Sequence, residues 1–365
     1  MIRKRVATTE LERNRNYWWG KTHCNSSWES SRTCIKSEYK RCTHLTVPRT
    51  KNGNCFCSLR GSLMGWIGMF PGQGSQEPGM GKELLEKYPE LLIDIFDESL
   101  GWSLKEVINE GDSDLIKKTN IAQPYIFAIS YCYGLEVIQK FGNADALIGH
   151  SLGEYTALAI SGFFDYVDAL KIISVRGEAM QESVENSDTG MAAVLTTDLE
   201  ATLKEIEVLN SQDIEVWISN YNDASQIVIS SSNENLEYLK SNSKALSARR
   251  VIPLEVAGAF HTKIVSPAKP KLAEALEQVE LKEGTIPVYM NVDADLANID
   301  TLKTRLVNQI DNSVLFHDQI LKIESEIKPD EWTHIGPGNV TAGMVKKSIS
   351  SKEIRVINSL ESLSK

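Results

Sequence analysis

Nowhere does the chain hold an apolar run approaching the roughly 18 residues that a membrane-crossing helix requires. Its first 20 residues mix charges with Tyr17, Trp18 and Trp19, so they lack the apolar segment of a secretory leader. No membrane partner is expected, and the expected location is the cytoplasm. Positive charge is scarce in most of the chain. Residues 1–63 carry 13 Lys/Arg against 4 Asp/Glu, and with a net charge of −10 overall the remainder must carry −19. That balance argues against nucleic acid, which is gripped by clustered cations. There is no H-E-x-x-H and no tandem C-x2-C to mark a catalytic metal, and none is expected. The stretch "GQGSQEPGMGK" is rich in glycine, but Glu83 follows Lys82 where a phosphate-binding loop needs Ser or Thr. Cysteine is nearly absent after residue 57. Five of the six, Cys24, Cys34, Cys42, Cys55 and Cys57, precede it, and with His23 and His44 they make a metal site conceivable there. Residues 1–63 show neither helical nor strand periodicity, so they read as a disordered or artefactual extension, with Met64 as a candidate start.

What remains is ordinary for a globular protein. With 42% hydrophobic and 24% charged residues, the chain can bury a sizeable core in two or three domain-sized units. From Trp66 the pattern is regular: "GWIGMF" reads as a buried strand, "KELLEKYPELLIDIFDESL" and "AQPYIFAISYCYGLEVIQKFG" as helices, and "ADALIGHS" as the next strand. Strand, helix and strand in this order favour an α/β core with a parallel sheet. Residues 190–255 alternate short β-like runs with two helical stretches, which suits a small α+β insert of the split-βαβ kind. Beyond it, "IPVYMNVDA" reads as a further core strand and "WTHIGPGNVTAGMVKK" as strand, turn and helix.

The chemistry centres on "LIGHSLGEYTAL". Gly149, Ser151 and Gly153 form G-x-S-x-G between a strand and a helix, the setting in which a serine hydroxyl projects from a tight elbow. The helix from Leu152 aims backbone N–H groups and partial positive charge at the site, which favours a developing oxyanion. A serine needs a base. His261 in "GAFHTKIVSPA" follows a predicted strand among small residues and is the best candidate; His150 suits packing, and His317 and His334 suit structural roles. Arg176 lies in the apolar helical stretch "LKIISVRGEAM", where it is either a snorkelling surface residue or a buried one with a partner.

"FPGQGSQEPGMG", "GHSLGEYTAL", "RGEAMQ", "GAFH", "NVDA" and "IGPGNV" together resemble the malonyl-CoA:acyl carrier protein transacylases, which include fatty-acid synthesis enzymes and free-standing acyltransferases of polyketide synthases. The resemblance spans about residues 66 to 347 and leaves out residues 1–63. It implies an α/β hydrolase-like core over residues 64–188 and 256–350, a ferredoxin-like insert over 189–255, and a C-terminal tail over 351–365. It also implies a reaction: malonyl passes from malonyl-CoA to Ser151, then to the phosphopantetheine thiol of an acyl carrier protein, with no resident cofactor. By resemblance Ser151 is the nucleophile and His261 its base, oriented by a backbone carbonyl at Gln309; the family's proline after that segment is replaced by Ser313. The oxyanion hole combines the Leu152 N–H with Gln73. Arg176 clamps the malonyl carboxylate, for which a guanidinium fork is the bidentate match. Phe260 fills the space of a methyl branch, disfavouring methylmalonyl by about 1 to 3 kcal/mol. Gln123 and Asn222 are supporting polar positions. A monomer is expected, with a basic patch near the site's mouth to receive an acidic carrier. The alternatives are a serine hydrolase or thioesterase using the same elbow, whose third triad member would be an acid between Ser and His, and a non-catalytic docking module.

Overall fold

The computed structural model describes residues 65–349 and 352–364. The expectations for residues 1–63, including the metal site built on His23 and His44, lie outside the described residues. Two sheets organise the rest. The strands are β1 (Trp66–Phe70), β2 (Ala146–Gly149), β3 (Thr189–Leu195), β4 (Trp217–Asp223), β5 (Gln226–Ser232), β6 (Arg250–Pro253), β7 (Glu331–Ile335) and β8 (Glu353–Ile357). The longer helices are α1 (Thr119–Phe141), α2 (Leu152–Ser161), α3 (Tyr166–Val184), α4 (Leu199–Ser211), α5 (Asn233–Ser241), α6 (Lys269–Glu277), α7 (Ile299–Gln309), α8 (Phe316–Glu326) and α9 (Val340–Ser348).

The first sheet has the order β2-β1-β7-β8 and is parallel throughout. Every residue of β1, β2 and β7 is buried, as a sheet covered on both faces requires. The period of two divides β1 between two cores: Ile67 and Met69 pack with Phe316, Ile320 and Ile323 of α8, while Trp66 and Phe70 join the cluster formed by α1, α2 and α3. The second sheet is antiparallel, with the order β4-β5-β3-β6. With α4 and α5 it follows the succession β-α-β-β-α-β over residues 189–253 and keeps an apolar cluster of its own.

Three segments differ from their sequence reading. "KELLEKYPELLIDIFDESL" is no single helix, because Pro89 interrupts it; a one-turn helix at Leu84–Lys87 precedes it, and a π-helical stretch at Glu90–Ile95 running into an α-helical one at Phe96–Leu100 follows. "IPVYMNVDA" lies beside β2 but makes only one parallel bridge, Leu147 to Val288, before a tight turn at Ala294 with φ 53° carries the chain away. The parallel sheet also extends past residue 350. Glu353–Ile357, read as tail, forms the edge strand β8, whose half-buried face was too weakly patterned to stand out.

Candidate active site

Ser151 joins the end of β2 to the first turn of α2. Its backbone sits at φ 50° and ψ −102°, a conformation that costs a non-glycine residue about 1–3 kcal/mol. The flanking glycines make the bend possible. A Cβ on Gly149 would lie 1.9 Å from the Gly153 carbonyl carbon, and one on Gly153 would lie 2.2 Å from the Phe70 oxygen. Neither neighbour can yield, since both are backbone. Gly149→Ala is therefore expected to cost about 3 kcal/mol or more, read as a large fall in Tm or loss of soluble protein.

Asn291 braces the elbow from 140 residues away: its Oδ1 accepts the Ser151 N–H at 2.8 Å and its Nδ2 donates to the Gly149 carbonyl at 2.7 Å. The Ser151 N–H is thereby occupied. The first N–H groups of α2 have no carbonyl four residues back to bond, and that of Leu152 leads this turn.

His261 stands opposite, also in the left-handed region at φ 59°. Its Nε2 lies 2.8 Å from Ser151 Oγ, and its Nδ1 lies 2.8 Å from the Gln309 main-chain oxygen. A carbonyl can only accept, so Nδ1 carries the proton and Nε2 is left to accept from the serine. Burial first, and then the positive charge of Arg176, push the His261 pKa down to about 3. The imidazole is thus neutral near neutral pH, with the Nε2 lone pair free to accept the serine proton.

Arg176 projects from α3 and is fully buried. Its Nη2 donates to Ser151 Oγ at 3.0 Å and to Gln309 Oε1 at 2.8 Å; its Nη1 donates to Gln123 Oε1 at 2.7 Å. The guanidinium packs 5.2 Å from the centre of the Tyr155 ring, and its Nε has no hydrogen-bond partner. A buried cation bonded only to uncharged groups, with its Nε–H unused, suits a small carboxylate arriving beside the serine.

A cavity of about 450 Å³ opens above this group. Gln73, Gln123, Asn222, Phe260, Ser151 and His261 all line it. Gln73 is half-buried and reaches Thr119 Oγ1 at 3.3 Å. Asn222 Oδ1 accepts from His150 Nε2 at 2.9 Å, so His150 holds a cavity residue as well as packing edge-on against Phe316. His334 is buried on Thr341 Oγ1, and His317 reaches Ser348 Oγ; both stand apart from the Ser151–His261 pair. Among the described residues, no cluster of three or more His, Cys, Asp and Glu could hold a metal ion, and no helix is long and apolar enough to cross a membrane.

Sequence reasoning missed two residues. Asn291 of "NVDA" has no spacing that marks its task, and Glu154 of "GHSLGE" carries only the signal of a carboxylate in an apolar helix. Glu154 is fully buried, with Oε1 accepting from Gln309 Nε2 at 3.1 Å and Oε2 accepting from the Asn291 backbone N–H. The replaced proline does not displace Gln309: Ser313 donates its hydroxyl proton to the Ile218 carbonyl, and Val314 pairs with Asn220.

Residues 67–365 match the acyl transferase domain family. A malonyl CoA-acyl carrier protein transacylase of Bacillus subtilis is 38% identical over 286 residues, covering 76% of this chain and 89% of that one. A polyketide-biosynthesis malonyl CoA-acyl carrier protein transacylase of Bacillus velezensis is 34% identical, covering 76% and 95%. Among solved structures, a malonyl-transacylase in complex with a type II polyketide acyl carrier protein superposes with a TM-score of 0.76 at 30% identity, over 82% of this chain and 98% of that one.

Proposed function

The chain belongs to the acyl transferase family, and from that premise we propose that it transfers malonyl from malonyl-CoA to the phosphopantetheine thiol of an acyl carrier protein. The observation that carries the malonyl reading is Arg176: a wholly buried guanidinium with one Nη on the nucleophile's own oxygen, 3.0 Å away. An acyl group without a terminal charge would make no direct ion pair with that guanidinium.

The reaction follows from the hydrogen bonds. Arg176 fixes the malonyl carboxylate, and Ser151 Oγ attacks the thioester carbonyl as His261 Nε2 takes its proton. The oxyanion is held by the Leu152 N–H with Gln73 as second donor, the Ser151 N–H being engaged by Asn291. The tetrahedral intermediate collapses, the C–S bond breaks, and the imidazolium returns its proton to the departing CoA thiolate. In the second half the carrier thiol gives its proton to His261 and attacks the serine ester, and Ser151 Oγ leaves reprotonated. No step draws on a resident cofactor.

The Gln309 carbonyl orients His261 in place of an acid, which favours this dyad over the hydrolase triad weighed from sequence. Phe260, buried in the cavity wall, restricts the space beside the acyl α-carbon, and Gln123 and Asn222 hold the walls around it. We assign residues 65–188, 256–349 and 352–364 to a hydrolase-like catalytic core and 189–255 to a ferredoxin-like subdomain, working as a monomer in the cytoplasm. The test is intact-protein mass spectrometry. The protein should gain one malonyl group from malonyl-CoA, little from acetyl-CoA, and lose it to a phosphopantetheinylated carrier far faster than to water. An adduct that forms equally from acetyl-CoA and discharges to water alone would replace the transferase with a hydrolase.

A further inference from the structure

Glu154 has no task in the reaction above, yet it is held as firmly as any group in the site. A carboxylate in a dry interior is costly unless it is paired or hydrogen-bonded. Both of its oxygens accept from N–H donors, Gln309 Nε2 on one and the Asn291 backbone on the other, which meets the demand of an ionised carboxyl. On the far side of the same amide lies Arg176, whose hydrogen bonds run to Gln123, Ser151 and Gln309, all uncharged. One amide thus separates a buried cation from a buried anion. Its dipole is aligned between them, with Oε1 toward the guanidinium and Nε2 toward the carboxyl.

Resting on the malonyl reading, we infer that Glu154, when ionised, is the counter-charge of Arg176 in the unliganded site and takes up a proton from solvent when the malonyl carboxylate binds. Two carboxylates cannot both draw on one buried guanidinium, and the like charge of the newcomer disfavours the ionised form of the resident. On the malonyl reading the substrate's carboxylate bonds the guanidinium directly, whereas Glu154 reaches it only through Gln309, so Glu154 is the one that protonates. The group is poised for this: burial pushes its pKa up to about 8, against the Asn291 N–H bond and the charges of Arg305 and Arg176, which pull it down. Besides Arg176, four charged or titratable groups stand near it. Arg305 on α7 is paired with Asp293 in the loop before it, Tyr155 on α2 is pushed up by burial, and His261 beyond Gln309 is pushed down to about 3.

Linkage fixes the sign. If binding takes up a proton, affinity for malonyl-CoA is constant well below the free-site pKa of Glu154 and weakens above it, by up to about tenfold per pH unit, until the bound-site pKa is passed. Acetyl-CoA, which brings no carboxylate, should show no such slope. The test is isothermal titration calorimetry of the full chain carrying Ser151→Ala, so that no acyl group is transferred, in two buffers of unlike ionisation enthalpy. Near and above the Glu154 pKa of about 8, malonyl-CoA should bind with net uptake of a large fraction of one proton; well below it uptake should vanish. Adding Glu154→Gln should abolish the uptake and flatten the pH profile of affinity. Malonyl-CoA binding without proton uptake at any pH, or uptake that persists in Glu154→Gln, overturns the inference while leaving the transferase standing. The first of these outcomes is read with Glu154 intact, so it holds even where Glu154→Gln does not fold. Failure of malonyl-CoA to bind while acetyl-CoA does would overturn the malonyl reading and this inference together.

Discussion

Replacing Ser151 by alanine is expected to abolish the malonyl adduct and to lower transfer to a carrier protein by about 10⁴-fold or more. The size follows from what the hydroxyl does. It is the atom that must bond the acyl carbon, and His261 and Arg176 both converge on it, at 2.8 and 3.0 Å. With the oxygen gone, the base faces a methyl group and the two half-reactions lose their common intermediate. The variant should still fold, because alanine accepts the same backbone and keeps the Ser151 N–H bond to Asn291. Ser151→Gly sharpens the point. At φ 50° and ψ −102° glycine relieves strain that serine bears, so this variant should be equally inactive and about 1 kcal/mol more stable. Mass spectrometry reads the adduct and thermal unfolding reads the strain. An adduct that survives Ser151→Ala would move the acylation to another residue.

The elbow was legible because its logic is local. A strand, two glycines that must touch backbone and a helix lie within a dozen residues, and the contact that requires Gly149 is made with Gly153, four residues on. The parallel sheet was legible for a similar reason, since β1 and β2 are buried on both faces and read as unbroken apolar runs. β8 was not, because an edge strand half-open to solvent carries no such run. The carbonyl that orients His261 comes from 48 residues away and the brace on Ser151 from 140; neither leaves a spacing to read. A backbone oxygen has no residue type, so only the resemblance pointed to Gln309. Glu154 was hidden differently. Its position after Ser151 is plain, but its meaning depends on Arg176, Gln309 and Asn291 meeting around it, and those lie on three separate segments.

Arg176→Met should lower malonyl acylation by about 10²- to 10³-fold while changing acetyl acylation by less than tenfold, so that the preference for malonyl disappears. Methionine fills much of the same volume without charge, which limits the collapse that alanine would cause in a fully buried position. The loss is large because the substrate's carboxylate would enter a dry site with no partner, and breaking a buried ion pair from one side costs about 3–5 kcal/mol. Acetyl escapes that penalty. It does lose the Nη2 bond to Ser151 Oγ, but His261 keeps its own hold on the same oxygen and on the Gln309 carbonyl. Lysine should not rescue malonyl, because a single ammonium cannot reproduce the fork that meets Gln123 on one nitrogen and Ser151 with Gln309 on the other. Steady-state kcat/KM for the two thioesters, measured side by side, decides the matter. An equal fall for both would make Arg176 a brace for Ser151 rather than a clamp for the substrate. A fall confined to malonyl places the origin of acyl choice in one buried charge.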